Sequence, residues 1–297
     1  MKSLYLPLFL VFTLAACTAE TESTNAEAEA EVVQGDFTVP MGVQLWSFRK
    51  MAEEEGAVAM LDMVKNVGFT HVETAGLYGM TAAELSTTLD AAGLEATSMH
   101  ANYDAFKNNI DQVIADAKAV GAEYAGIAWY PHEEGNFDEA TARQAIADFN
   151  EFGQAMKDAG LKFFYHNHGY EPSPYGDGTL LDLIIDETDP ELVYFEMDVL
   201  WTWLPNVDPV ALIDRHPGRF KLMHIKDMKP GIERGTLAGR IPDEDKAVIG
   251  EGQIDWPAVL KTATEDGFEH FYLEDETTEP VDNAPVSYAY LKALKYE

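Results

Sequence analysis

The stretch AGLKFFYHNHGYE (159–171) decides how this chain is read. It opens on a glycine after a helix-like segment and runs through an apolar, aromatic strand. It ends in ligand-type groups: His166, Asn167, His168 and Glu171. Side chains alternate along a strand, so His166 and His168 point the same way. Hydrogen-bonded core histidines would read alike, but imidazole is also the commonest metal ligand.

The first half of this pattern recurs along the chain. VGFTHVE (67–73), AGLEATSMH (92–100), VGAEYAGIA (120–128), PGRFKLMH (217–224) and DGFEHFYLE (266–274) each carry a glycine followed by a strand-like run. Glycine just past a helix takes the left-handed cap conformation without steric cost. Helical spacing precedes these glycines at Ala57–Val67, Ala82–Ala92, Ala105–Val120, Glu139–Ala159, Pro209–Asp214 and Pro257–Asp266. Thr81 with Glu84 forms a candidate capping box. Met41–Phe48 and Leu192–Val199 add two further strands. Eight strands alternating with helices, over some 260 residues, predict a single (β/α)₈ TIM barrel, an α/β fold that typically takes about 250 residues. The rival, an open doubly wound sheet, would carry a glycine-rich phosphate loop after its first strand. RKMAEEE (49–55) has none.

The barrel is expected over residues 38–297. Before it, Lys2, the apolar run Leu4–Leu14 and Leu14-Ala15-Ala16-Cys17 read as an export signal over residues 1–16. The run is short for a bilayer crossing of about 20 residues. Leu-Ala-Ala-Cys is similar to the lipobox of bacterial lipoproteins, which makes Cys17 the expected lipidation site. The expected location is then outside the cytoplasm, membrane-anchored through the N-terminal lipid alone, facing the periplasm. Residues 17–37 are Ala, Glu, Thr and Ser with little to bury, and are expected to be a disordered acidic tether. Cys17 is the only cysteine, so no intramolecular disulfide is possible.

The formal net charge is −32. A nucleic-acid partner needs a basic face, so this composition argues against one.

In such a barrel the site lies at the C-terminal strand ends. Those ends carry Glu73, His100, His166 with His168, Asp198, His224 with Lys226 and Asp227, and Glu274 with Asp275 and Glu276. Trp46 and Trp129 stand at two more. Unpaired charges are costly to bury, so their collection at one end points to function. His166, Asp198, His224 and Glu274 are expected to hold one divalent ion: Mn²⁺, Zn²⁺, Co²⁺, Fe²⁺ or Mg²⁺. The mixed nitrogen and oxygen donors, without thiolate, argue against a structural zinc site.

YHNHGYE (165–171), FEMDVLW (195–201), MHIKD (223–227), VIGEGQIDW (248–256) and YLEDE (272–276) together resemble the xylose-isomerase-like barrel family over about Val39–Glu297. That family includes sugar isomerases, ketose 3-epimerases, inosose dehydratases and the endonuclease IV branch. The resemblance implies the same four metal ligands from strands five to eight, and a small carbohydrate as substrate. It also implies a metal-dependent isomerase- or epimerase-type enzyme that abstracts a proton beside a sugar carbonyl. A lyase or dehydratase using the same site is the alternative. A non-catalytic carbohydrate-binding lipoprotein is the other. The epimerases place a glutamate where His166 stands, so two-faced epimerisation is not expected. Glu274 is the first candidate base, with His168, His100 and Glu171 behind it. Lys226 is a candidate for steadying negative charge. Trp46, Glu73, His100, Trp129 and Trp201 are candidates for substrate contact, and Trp203 for stacking; the alternatives are that Glu73 orients a metal ligand, that Trp201 and Trp203 pack under a loop, and that Glu171 is simply a loop carboxylate. Arg234, Arg240 and Lys246 lie on the long segment 228–250 and could meet an anionic group.

Overall fold

The structure is a computed structural model that describes residue 1 and residues 35–296; the expected export signal and Cys17 lie outside the described residues. Eight strands form the barrel: β1 (Met41–Gln44), β2 (His71–Thr74), β3 (Glu95–His100), β4 (Tyr124–Ile127), β5 (Lys162–His166), β6 (Val193–Asp198), β7 (Phe220–Ile225) and β8 (His270–Leu273). Each pairs in parallel with its sequence neighbours, and β1 closes on β8 with Met41 opposite Phe271. The helices are α1 (Arg49–Glu54), α2 (Ala57–Val67), α3 (Ala82–Ala92), α4 (Tyr103–Val120), α5 (Glu139–Asp158), α6 (Leu180–Glu187), α7 (Val199–Trp203), α8 (Pro209–Arg215), α9 (Trp256–Asp266) and α10 (Pro280–Ala293). This is the (β/α)₈ architecture that the alternating pattern predicts.

Strand alternation sorts the side chains into two cores. Outward residues such as Phe163, Tyr165, Phe195, Met197, Met223 and Phe271 pack beneath the helices. Inward residues Tyr124, Phe164, Leu222 and Tyr272, with Tyr194 beside them, plug the barrel near its N-terminal end. Two residues further along three of these strands the filling becomes polar: Phe164 gives way to His166, Leu222 to His224, and Tyr272 to Glu274. Gly42 is required here, because a Cβ on it would lie 2.5 Å from the Tyr272 ring.

The glycine caps form as expected, for example Gly121 at φ 89° after α4. The Thr81–Glu84 capping box is present at the start of α3. Several boundaries differ from the sequence reading. The expected strand Met41–Phe48 stops at Gln44, whose side chain accepts from the Trp46 N–H and starts a 3₁₀ turn over Leu45–Phe48. The barrel begins before residue 38: Phe37 is buried against Phe271, and the Gly35 N–H donates to the Lys292 carbonyl. Residues 35–37, expected as part of the tether, are packed on the barrel.

Candidate metal centre and active site

Four inward side chains at the ends of β5 to β8 and just past β8 converge as expected: His166, Asp198, His224 and Glu274, all buried. His166 Nε2 lies 3.0 Å from His224 Nδ1 and 3.4 Å from Asp198 Oδ2. His224 Nδ1 lies 2.9 Å from Glu274 Oε2. Metal bonds of about 2.0–2.2 Å place neighbouring donors roughly 3.0–3.5 Å apart at ordinary coordination angles. Asp198 Oδ2 and Glu274 Oε2 face this cluster and also lie 3.1 and 2.7 Å from the Lys226 ammonium. His166 Nδ1 is buried without a hydrogen-bond partner. The donor set therefore fits one divalent cation.

A layer below fixes His224. Its Nε2 lies 2.7 Å from Glu73 Oε1, so Nε2 carries the proton and Nδ1 faces the ligand cluster. Gln44 donates to the same Glu73 oxygen at 2.6 Å, and Ser98 donates to the other. Burial alone would keep a proton on Glu73, but His100 and His224 hold its carboxyl well below the usual range. His100 bridges two carboxylates, with Nε2 2.9 Å from Glu196 and 3.0 Å from Glu73. Burial opposes its charge, yet these two acids push its pKa up to about 9. Glu73, expected to bind a substrate hydroxyl or to orient a metal ligand, is fully buried beneath His224 and orients that ring. Glu196 was not singled out from the sequence. It sits two residues before Asp198 on β6, so strand alternation points both into the barrel.

Lys226 is buried with its ammonium 2.7 Å from Glu274, 3.1 Å from Asp198 and 2.9 Å from Glu276. Burial disfavours the charge, but these three acids hold its pKa well above the usual lysine range. Glu276 also accepts from the Trp46 indole at 3.1 Å and lies 3.2 Å from Lys246. It thereby ties the long segment after β7 to the barrel rim. Asp227 turns away from the ligand cluster: its carboxylate accepts from the backbone of Met228, Gly250, Gln253 and Ile254 and from the Trp256 indole.

A cavity of about 1170 Å³ opens above the ligand cluster, lined by Trp46, His100, Trp129, His166, His168, Trp201, His224, Lys226, Arg240, Lys246, Glu274 and Glu276, among others. His168 lies 4.9 Å from His166, ring centre to ring centre, and packs on Trp129 and Trp201. Burial first, then His166 and Lys226, hold its pKa well below the usual range, so it is neutral. Arg240 stacks over Trp129. Two candidates lie off this cavity. Glu171, expected as a displaced acid or base or as a loop carboxylate, is fully buried outside the lining. It accepts from the Tyr165 hydroxyl at 2.5 Å and from the His168 N–H at 2.9 Å, so it positions the His168 loop. Trp203, a candidate stacking residue, is instead covered by the Arg234 guanidinium and is not in the lining.

Comparison with known proteins agrees with this geometry. The family described as Xylose isomerase-like TIM barrel matches residues 61–294. An inosose dehydratase of Clostridium beijerinckii is 26% identical over 170 residues, covering 54% of this chain and 55% of that protein, so the chain matches about half the length of that relative. A solved sugar phosphate isomerase/epimerase from Parabacteroides distasonis superposes with a TM-score of 0.68 at 25% identity, covering 91% of this chain and 97% of the other. A solved IolI protein with a bound zinc atom superposes with a TM-score of 0.64 at 15% identity, over 86% and 95%. The chain belongs to the xylose isomerase-like TIM barrel family.

Proposed function

We propose that this chain is a divalent-metal-dependent enzyme that removes the proton beside a carbonyl of a keto-sugar or keto-cyclitol and expels an oxygen from the next carbon. The observation that carries this reading is the convergence of four buried donors, His166, Asp198, His224 and Glu274, with Lys226 and His168 at the floor of one cavity. A divalent ion held by those four residues would supply Lewis-acid stabilisation of negative charge developing on a bound carbonyl. The zinc named for the IolI protein supports such an ion here. Lys226, fixed as an ammonium, lies where negative charge develops.

His168 takes the proton. It lines the cavity as a neutral imidazole. Glu274 was the first candidate from the sequence, but its carboxylate belongs to the ligand set and to Lys226. Glu276 is likewise held by Lys226 and Lys246. Once the α C–H bond breaks, the β C–O bond breaks with its electron pair leaving on oxygen. That oxygen takes the proton back from His168 and departs as water. A single acid–base group suffices for this sequence, which fits a histidine standing at 166 in place of a second carboxylate. The inosose dehydratase names of the relatives support elimination. Isomerisation shares the first half of the path, and the P. distasonis name supports it.

The test is NMR of the metal-loaded protein in D₂O with keto-inositol and a panel of keto-hexoses. Elimination gives an unsaturated or diketo product. Isomerisation gives deuterium at one carbon without loss of oxygen. Inversion at a carbon would mean two bases. No reaction across the panel, with metal confirmed in place, would transfer the reading to a carbohydrate-binding barrel. His168→Gln is expected to lower the rate about 10²–10⁴-fold with metal content unchanged, whereas Glu274→Gln loses metal as well.

A further inference from the structure

The cavity is larger than its chemical floor requires. Pockets of about 300–1,000 Å³ enclose drug-sized ligands, and this one reaches about 1170 Å³. The excess runs out past the Ala75–Leu77 turn and along one face of α4. Asn102, Asp104, Asn109, Gln112 and Asp116 line the same cavity as the metal-ligand cluster. At about 1.5 Å per residue, Asn102 to Asp116 span roughly 20 Å of chain along the helix.

This outer wall has its own chemistry. Its polar groups are three amides, two carboxylates and the Tyr103 hydroxyl, which already donates to Asp148, with no lysine or arginine among them. An amide both donates to and accepts from a hydroxyl, and a carboxylate accepts from one. Anions find no counter-charge there. The cations of the lining, Arg49, Lys226, Arg240 and Lys246, belong to the rim and floor instead. The wall is also shaped. α4 breaks its helical path at Asn109, with φ −153° and ψ 44°. No hydrogen bond engages the Asn109 amide among the described residues, although Asn102 and Gln112 are already paired, to Ala105 and Asp116. An interruption of a helix at a cavity wall is the kind of local irregularity that functional sites retain.

We propose that this wall is an outer subsite for a second, uncharged, hydroxyl-rich unit, so that the substrate is a glycosidically linked neutral sugar rather than a free monosaccharide or sugar phosphate. The proposal deepens the keto-sugar reading and rests on it for the inner half of the cavity.

Titration calorimetry and saturation-transfer NMR on the metal-loaded full chain test it, with glucose against cellobiose, maltose and trehalose. At least one disaccharide is expected to bind ten-fold or more tightly than glucose, with saturation transferred to both of its rings. Asn109→Ala and Gln112→Ala, both at exposed positions, are expected to cut that preference about ten-fold. Equal affinities, no disaccharide binding, or a preference that neither variant moves would overturn the outer subsite. Metal content and deuterium exchange on the same preparations report on the reaction separately. Their loss, with the disaccharide preference intact, would count against the reaction and not against the subsite.

Discussion

His224 works from both edges of its ring. Nε2 is held by Glu73 and Nδ1 faces Glu274 and His166. Burial alone would strip its proton, but Glu196 and Glu274 raise its pKa well above the usual histidine range. A cation must therefore displace a proton from Nδ1. Zinc affinity is expected to rise with pH through the neutral range, up to about ten-fold per unit. Calorimetry in buffers of different ionisation heat would show one proton released per ion. Asp198→Asn and His224→Ala should each lower metal content with the barrel circular dichroism unchanged; full occupancy in both would remove the ligand assignment. Glu171 gives an opposite signature. Burial raises its pKa from 4.5 to about 7, against the hydrogen bonds from Tyr165 and His168 that lower it. An acid with a raised folded value imposes no penalty below about 4.5 and the full penalty above about 7. Its ionisation is expected to remove on the order of 3 kcal/mol of stability across that window. Urea titrations at pH 4.5 and 8 would show that fall in the parent and not in Glu171→Gln.

Among the elements, the segment after β7 is the one most dependent on a single side chain. Asp227 gathers four backbone N–H groups and the Trp256 indole, which closes the span from Met228 to Trp256. Removing the acceptor leaves buried donors unpaired at about 1–3 kcal/mol each. Asp227→Ala is therefore expected to cost at least about 3 kcal/mol and to open 228–250 to proteolysis, without a change in far-UV circular dichroism. Parent-like resistance to protease would contradict this. The strands and most helices were legible because glycine caps and apolar runs are local signals. The convergence of His166, Asp198, His224 and Glu274 was legible because strand ends in a barrel share one rim. The short helix α7 was not, since its five residues hang on Asp198, which accepts from the Trp201 N–H. Helix α10 was obscured by Pro285 in its interior. The sequence leaves Glu171 and Trp203 open between a site role and a structural one for a different reason. Their residue types suit a site, but which way a loop side chain turns depends on Tyr165 and Arg234, six and thirty-one residues away. Glu196 obeyed strand alternation and was passed over because Asp198 already filled the role at the same strand end.

At the scale of the whole molecule, the charge of −32 and the first residues bear on where the chemistry takes place. In the buried network four acids, Glu73, Glu196, Asp198 and Glu274, face three cations, His100, His224 and Lys226, so this network accounts for little of the excess negative charge. A surface carrying that excess resists association and is screened by salt. It has no attraction for anionic lipid headgroups, and no helix among the described residues is long and apolar enough to cross a membrane. We propose that membrane attachment comes from lipid on Cys17, the only cysteine of the chain. Two or more acyl chains hold a protein stably on a bilayer, whereas one gives only marginal, reversible binding. Cys17→Ser removes the one acceptor without touching the barrel, whose described part begins eighteen residues later at Gly35. In a bacterial host that processes lipoproteins, the parent is expected in the membrane fraction and labelled by a fatty-acid analogue. The variant is expected to be unlabelled and either retained as an unprocessed precursor or released, with metal content equal to that of the parent. A variant that sediments with membranes and takes up label as the parent does would place the anchor elsewhere in the chain.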